Sequence, residues 1–448
     1  MSDPADTNPA TTTPAGTAVA GETDEAAAPE VSDEALATVA PEVLAGSLTE
    51  YFQAWGRRIR NGESGALPIL VGLIAIVIFF QVEQSTFLTA NNLVNLLIQA
   101  AVYVMLGAAE IYALILSEID LSVGFVAGVA GFIVAELIAS PVNLPWWLAI
   151  LAMLAATGLI GILQGSLISR LGLPSFIVTL GGFLGFEGLM LLLANADKTA
   201  VGGVIQIDSN SVVYKIVNSN LSPTLSWIVL IVVVGLFAAF TITTHARRRA
   251  EGLSAPPLSI TLLTIAVTAI GGVVLVVICN LNRGALTALK GVPYVVPVVL
   301  VVLLVWSFIL RRTKLGRYIY AIGANPEGAR RAGINVPVVR TVGFMLCSMT
   351  AGIAGLLYES RQGSMATDID GGTLVLYAVA AAVIGGTSLF GGKGKPIHAL
   401  LGGIVIAAVF NGLGLMGISA AGQDIATAIV LIAAVTLDSL VRRRSTVR

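Results

Sequence analysis

The sequence is poor in charged residues and contains very few cysteines and histidines. Charged residues make up 11% of the chain, whereas soluble domains carry about 25%, which argues against a soluble globular protein. Cys279 and Cys347 both lie in apolar segments. We interpret them as buried small side chains, which excludes a disulfide framework. His245 and His398 have no cysteine or carboxylate at metal-ligand spacing, so no metal site is expected.

Residues 1–55 contain no lysine or arginine but ten acidic residues. The region is rich in Ala, Thr, Pro and Glu, and few of its residues could build a core, so we expect a disordered acidic tail. It has neither the basic start nor the apolar run of a signal peptide, so that assignment is not expected. Residues 56–448 are predicted to form one transmembrane domain.

Hydrophobic residues make up 56% of the chain and predict an all-α, polytopic transmembrane helix bundle. Because a helix needs about 20 apolar residues to cross a bilayer, about 12 spans are expected. Glycine pairs such as Gly161–Gly165 and Gly181–Gly185 predict close packing between helices. The predicted spans are 67–84, 93–116, 121–139, 146–169, 174–195, 226–243, 258–279, 292–310, 341–359, 373–390, 396–416 and 424–440.

Basic residues fall on one side of these spans. The arginines within 57–60 precede the first span, which places the N-terminus in the cytoplasm under the positive-inside rule. Alternation from there places the basic stretch 311–340 and Arg442–Arg444 on the same side, so both termini are predicted to be cytoplasmic. Few basic residues fall in the segments left outside, which are 196–225, 280–291 and 360–372.

Residues 311–340 gather seven of the 25 basic residues and contain a short helix with clear start and stop signals. A capping asparagine is followed by proline at the first position. A glutamate suits the positive end of the helix dipole, two arginines suit the negative end, and a glycine can stop the helix. Such a helix in a membrane protein's loop predicts that another protein docks on it. The residues assigned to it are Asn325, Pro326, Glu327, Ala329, Arg330, Arg331 and Gly333.

The segment Ser117–Gly124 interrupts an apolar run with Glu118, Asp120 and Ser122. Charges within spans are candidate functional groups, because burial in lipid costs roughly 2.5–3.5 kcal/mol on insertion scales. The segment is either a cytoplasmic turn, in which Ser117 or Asp120 caps the next helix and Glu118 is solvated, or a polar kink that lines a cavity or gate.

Two more glutamates, Glu110 and Glu187, lie within predicted spans. Neither can face lipid at low cost, so both are expected to face the bundle interior. Their partner there is either a substrate hydroxyl or a neighbouring Ser, Thr or Asn. Glu359 lies closer to a span end and is expected to reach the membrane interface. The candidate pore or gate residues are therefore Glu110, Glu118, Asp120, Ser122 and Glu187.

Three classes of function compete: an enzyme, an ion-coupled carrier and a permease powered by a separate ATPase. No nucleophile–base pair, zinc motif or dinucleotide fingerprint supports an enzyme, so no catalytic residue is assigned. The segment Gly391–Gly394 superficially resembles a phosphate loop, but Thr387 stands where the motif needs glycine and Gly394 where it needs Ser or Thr. The docking helix favours the externally powered permease. A proton- or sodium-coupled carrier would use Glu110 or Glu187.

Four motifs resemble those of the inner-membrane permeases of bacterial ABC importers for monosaccharides. They occur in the family's order and together cover most of residues 90–440. Two departures are Glu118, where the family often has glycine, and Glu187, where it usually has arginine. The motifs are Glu118–Gly124, Leu173–Gly181, Gly323–Ile334, and Ala382–Gly392 followed by Asn411-Gly412.

This resemblance implies two permease copies, a separate ATP-binding subunit at the coupling loop 311–340, and an extracytoplasmic sugar-binding protein. It also implies a bacterial plasma membrane location in contact with lipid, with no cofactor and no nucleic-acid partner. The added apolar span Leu258–Cys279 is similar to that of xylose-type and multiple-monosaccharide-type permeases and favours xylose or a related sugar. An ion-coupled carrier and a permease for branched-chain amino acids remain alternatives.

Overall fold

The computed structural model describes residues 49, 50, 53, 56, 67–196, 202–253, 255–284, 287–367, 369–430, 432 and 436. Nearly all of the predicted acidic tail lies outside these residues, as do Arg442–Arg444 and part of the last predicted span.

Helices make up most of the described chain, and two short strands join them. In chain order the elements are α1 (Leu67–Glu83), α2 (Ala90–Ile115), α3 (Val123–Ile138), α4 (Trp146–Arg170), α5 (Ser175–Ala196), β1 (Val204–Gln206), α6 (Val212–Asn218), α7 (Pro223–Ala250), α8 (Leu258–Asn280), α9 (Val295–Arg312), α10 (Lys314–Ala324), α11 (Pro326–Arg331), α12 (Val336–Gln362), β2 (Ser364–Ala366), α13 (Gly371–Ile384) and α14 (Pro396–Leu415).

The helices confirm the prediction of an all-α, multi-pass bundle. Within the described residues, eight helices are long and apolar enough to cross a membrane: α2, α4, α5, α7, α8, α9, α12 and α14. The shorter apolar helices α1, α3 and α13 coincide with three further predicted spans. Residues 420–430 are helical within and just before the last predicted span.

The centre of the bundle is formed by α2 and α12. Helix α12 packs against α2, α3 and α4, and α14 packs against α2 and α13. Glycine permits close approaches between these helices: a Cβ atom on Gly161 of α4 would lie 2.4 Å from the carbonyl oxygen of Phe344 on α12. The predicted close packing at Gly161 is therefore confirmed. Small residues here let helix backbones meet without intervening side chains.

Three helices lie at the periphery and leave broad apolar faces uncovered. Only 11% of the residues in the most apolar 18-residue stretch of α5 are buried, and only 6% of those in the corresponding stretch of α7. Helices α7 and α8 pack mainly on each other. These faces suit contact with lipid or with another membrane-embedded chain, because both offer an apolar environment.

The loops predicted to lie outside meet at one end of the bundle. Strand β1 pairs antiparallel with β2, with Ile205 opposite Met365. The guanidinium of Arg283 donates to the side-chain oxygen of Asn220 at 3.4 Å. The described parts of segments 196–225, 280–291 and 360–372 therefore share one end, in agreement with the predicted alternation. The cytoplasmic placement of the opposite end stays a prediction.

Candidate functional site

Helix α11 begins and ends where its sequence predicts. The side-chain oxygen of Asn325 accepts a hydrogen bond from the backbone N–H of Gly328 at 2.8 Å. Glu327 pairs with Arg330 at 3.1 Å and with Arg331 at 3.2 Å. The chain then turns through Gly333, whose φ is +80°. All three charged side chains are more than half exposed, so α11 presents a rigid, charged surface.

The stretch 311–340 contains two helices and not the single one expected. Thr313 caps α10 by accepting from the N–H of Gly316 at 3.2 Å. Ile319 and Ile322 are fully buried and hold α10 against the bundle. The spacing of these apolar residues after a threonine is the signal for an amphipathic helix. The many basic residues around them concealed it.

The end of α10 packs directly on the turn that follows α2. The backbone N–H of Gly392 donates to the carbonyl oxygen of Ile115 at 2.9 Å. The hydroxyl of Ser117 lies 3.2 Å from the carbonyl oxygens of both Gly323 and Phe390. A Cβ atom on Gly323 would lie 1.7 Å from the Ile115 carbonyl oxygen. We call these five residues the coupling junction, because they leave no free space between α10 and the turn.

Two side chains strengthen the links around this junction. The hydroxyl of Tyr320 on α10 donates to the carbonyl oxygen of Gly394 at 2.6 Å. Burial raises the pKa of Tyr320, although Arg311 opposes the shift, so the hydroxyl stays a donor at neutral pH. Arg340 on α12 pairs with Glu118 at 3.4 Å, and only 13% of the Glu118 side chain is exposed. Glu118 is therefore held by the fold and not freely solvated.

Next to the junction lies a buried polar cluster, which we define as Glu110, Asp120, Ser122, Gln164 and Cys347. Asp120 accepts from the N–H and the hydroxyl of Ser122 at 2.9 and 2.6 Å. Gln164 donates to the Ser122 hydroxyl at 2.8 Å, and Cys347 to Asp120 at 3.5 Å. The backbone N–H of Asp120 reaches Glu110 at 3.4 Å. The cluster joins α2, α3, α4 and α12 through side chains that are almost wholly buried.

Some polar atoms near this cluster have no hydrogen-bond partner among the described residues. They include one carboxylate oxygen of Glu110, the side-chain oxygen of Gln164 and the hydroxyl of Ser348. Buried polar atoms nearly always have a partner, and an unpaired one is an opportunity for a ligand, a water molecule or a rearrangement.

Two other glutamates, Glu187 and Glu359, differ in how deeply their side chains are buried. Glu187 is half-buried on the poorly covered helix α5, outside the polar cluster. Glu359 was expected at the membrane interface, and that expectation is wrong. It is fully buried, and the hydroxyl of the neighbouring Ser360 donates to the carbonyl oxygen of Val213 on α6. Neither carboxylate oxygen of Glu359 has a partner among the described residues.

A cleft of about 420 Å³ opens at the opposite end of the bundle from the junction. It lies between the α3–α4 loop and β1, and its lining includes Asn143, Gln206, Asp208 and Ser211. Helix α3 runs from the buried polar cluster to this cleft. The two ends of the bundle are thus connected by one buried helix.

These features define a multi-pass helical membrane protein in which an exposed charged helix is packed, through a tight junction, onto a buried polar cluster. The family described as branched-chain amino acid transport system / permease component matches residues 92–435. The chain belongs to this family.

Curated relatives extend the likeness over most of the chain. The xylose transport system permease protein XylH of Escherichia coli strain K12 is 34% identical over 84% of this chain and 92% of its own length. The D-allose transport system permease protein AlsC of the same strain is 29% identical, over 83% and 90%. The ribose import permease protein RbsC, also of that strain, is 28% identical, over 83% and 92%. No solved structure matches the chain.

Proposed function

We propose that this chain is the membrane-spanning permease of an ATP-driven importer for a monosaccharide, in the bacterial plasma membrane. The observation that carries the proposal is the packing of α10, which precedes the exposed helix α11, on the turn that leads to the buried polar cluster. Three relatives named for xylose, allose and ribose transport support a sugar as cargo. Xylose or a related sugar is favoured by the 34% identity to the xylose permease.

The motor is a separate ATP-binding subunit that docks on α11. Arg330, Arg331 and Glu327 give it a surface of both charge signs, which suits specific recognition. Movement of α11 passes to α10 and then, through Gly323 and Ser117, to the turn that carries Asp120. Because the junction is closely packed, a displacement of α10 displaces the turn after α2, and the polar cluster moves with that turn. The proposed gate includes Glu110, Glu118, Asp120 and Ser122.

A second copy of the chain completes the pore along α5. Gly181, Gly185 and Gly188 lie on this helix, and a Cβ atom added to any of them would have nothing within 4 Å. Another helix could therefore approach them closely. Glu187 lies on the same poorly covered helix, where facing lipid would be costly. A sugar-binding protein docks at the opposite end from the coupling junction, where the cleft beside β1 opens.

A proton- or sodium-coupled carrier is the second candidate, and one observation favours it. Glu110 and Asp120 are both fully buried, and the backbone N–H of Asp120 donates to the Glu110 carboxylate at 3.4 Å, so two acidic residues share one buried site within the bundle. The branched-chain amino acid alternative is not favoured, because the three relatives are named for sugars.

Reversal of the charges on α11 tests the docking of the motor. In a double variant, Glu327→Arg with Arg330→Glu, the net charge is unchanged and Asn325 still caps the helix. We expect the cognate ATP-binding subunit to be lost from co-purification by about tenfold or more, since like charges would then oppose each other. The matched control is Arg247→Glu with Glu251→Arg on α7, which should keep the subunit. Undiminished binding and transport in the α11 variant would refute the docking site.

A further inference from the structure

The C-terminal end of α9 contacts the second half of α7, on the side of the bundle that carries the coupling junction. The guanidinium of Arg312 lies over the ring of Phe240, 5.3 Å from its centroid. A cation above an aromatic face is attracted by the ring's electron density. This contact links the C-terminal turn of α9 to Phe240, which lies ten residues before the end of α7 at Ala250.

Exposed basic side chains surround this contact. Across the described residues, only Glu251 adds an acidic group to the two helix ends, and none of the basic side chains forms an ion pair. By contrast, Arg330 and Arg331 on α11 share Glu327. The basic rim, as we call this set, consists of Arg247, Arg248, Arg249, Arg311, Arg312, Lys314 and Arg317.

An uncovered apolar surface continues from the basic rim into the membrane. On α7, Leu236 and Phe240 are 67% and 57% exposed, and they are four residues apart, so they share one face. On α9, Leu304 and Phe308 are 56% and 62% exposed with the same spacing. A molecule that fits both parts has an anionic head and long apolar chains.

We propose that the basic rim and the adjoining faces of α7 and α9 bind an anionic phospholipid. Arginine forms paired hydrogen bonds with phosphate oxygens. Clusters of basic residues next to membrane spans attract anionic lipid headgroups. The acyl chains lie along the exposed leucine and phenylalanine side chains. The lipid thereby holds the α7–α8 hairpin beside α9, the helix that leads into α10.

A soluble protein partner fits this surface less well. The rim lies at the ends of the least covered helix of the bundle, and its apolar continuation would be in the bilayer. A protein that docked on the rim from the aqueous side would leave that continuation unused. The charged surface of α11 has no such apolar extension, because α11 is a six-residue helix capped by Asn325.

Lipid selectivity of the purified chain tests the proposal. The detergent-solubilised protein is mixed with equal amounts of phosphatidylglycerol and phosphatidylcholine with identical acyl chains, and retained lipid is counted by native mass spectrometry. We expect a preference for phosphatidylglycerol that falls by about tenfold in the Arg248→Gln, Arg312→Gln variant. The matched control, Arg330→Gln with Arg331→Gln, removes the same charge at the same end and should keep the preference.

Three results would overturn the proposal. Equal retention of both lipids by the unmodified chain would show that the rim does not recognise a headgroup. An equal loss in the rim variant and the α11 control would reveal a non-specific effect of net charge. Loss of the ATP-binding subunit from the rim variant, with lipid preference kept, would identify the rim as a protein-docking surface. Co-purification of the ATP-binding subunit is measured separately for this last result. Lipid retention itself is measured without the other subunits, so its outcome is independent of the proposed sugar import.

Discussion

Glu359 shows how a single side chain can lower the free energy of unfolding, which the rest of the fold must then offset. Its carboxyl group is fully buried, and neither oxygen has a hydrogen-bond partner among the described residues. An unsatisfied buried polar group destabilises a protein by about 1–3 kcal/mol. Glu118 is the opposite case, since it is largely covered but paired with Arg340.

Replacement of these two glutamates by leucine is expected to shift stability in opposite directions. Glu359→Leu removes an unpaired buried carboxyl group and should raise the thermal unfolding midpoint of the detergent-solubilised protein by a few degrees. Glu118→Leu leaves Arg340 without its partner and should lower that midpoint. A thermal-shift assay measures both. A lower midpoint for Glu359→Leu would show that an uncounted partner satisfies the carboxyl group.

The contrast between Asn325 and Glu359 explains what the sequence could predict at this scale. Asn325 caps its helix through a residue only three positions away, so the short motif contains all the information needed. Glu359 is buried next to Ser360, whose hydroxyl binds α6 about 140 residues earlier in the chain. Sequence spacing places Glu359 near a span end, and only the folded chain shows what covers that end.

At the scale of elements, the coupling junction depends on glycines at contacts between segments that are far apart in the chain. Gly323 lies against Ile115, and Gly392 donates to the same carbonyl oxygen. The sequence identified α11 from its local signals and identified Gly391-Gly392 as part of a motif. It did not show that these two motifs meet at Ser117, because the contact spans more than 200 residues.

Substitution of Gly323 by alanine is expected to leave docking of the ATP-binding subunit on α11 intact but to impair transmission of movement from α10 to the turn after α2. The added Cβ would lie 1.7 Å from the Ile115 carbonyl oxygen, so α10 must shift away from the turn. We expect the ATP-binding subunit to bind as before, since α11 keeps its exposed charges, while ATP-driven sugar uptake falls by roughly tenfold. Gly235→Ala on α7 is the control, because nothing lies within 4 Å of its Cβ position. Equal uptake by both variants would contradict the role of the junction.

At the scale of the whole molecule, the two ends of the bundle carry different structural features. One end carries the charged helix α11 and the coupling junction, and the other carries the paired strands and the cleft beside β1. The composition and spacing of apolar runs predicted the helical bundle and the segments that share each end. The poorly covered α5 face supports a dimer as a proposal, because a single chain's structure contains no second copy.

Reconstitution tests the central claim most directly. The chain is placed in proteoliposomes with its ATP-binding subunit, a sugar-binding protein is added on the opposite side, and uptake of radiolabelled xylose is measured. Our account predicts that accumulation requires ATP and both other subunits, and that it needs no ion gradient. Accumulation by the chain alone under a proton or sodium gradient, without ATP, would contradict it and would assign Glu110 and Asp120 to ion coupling instead.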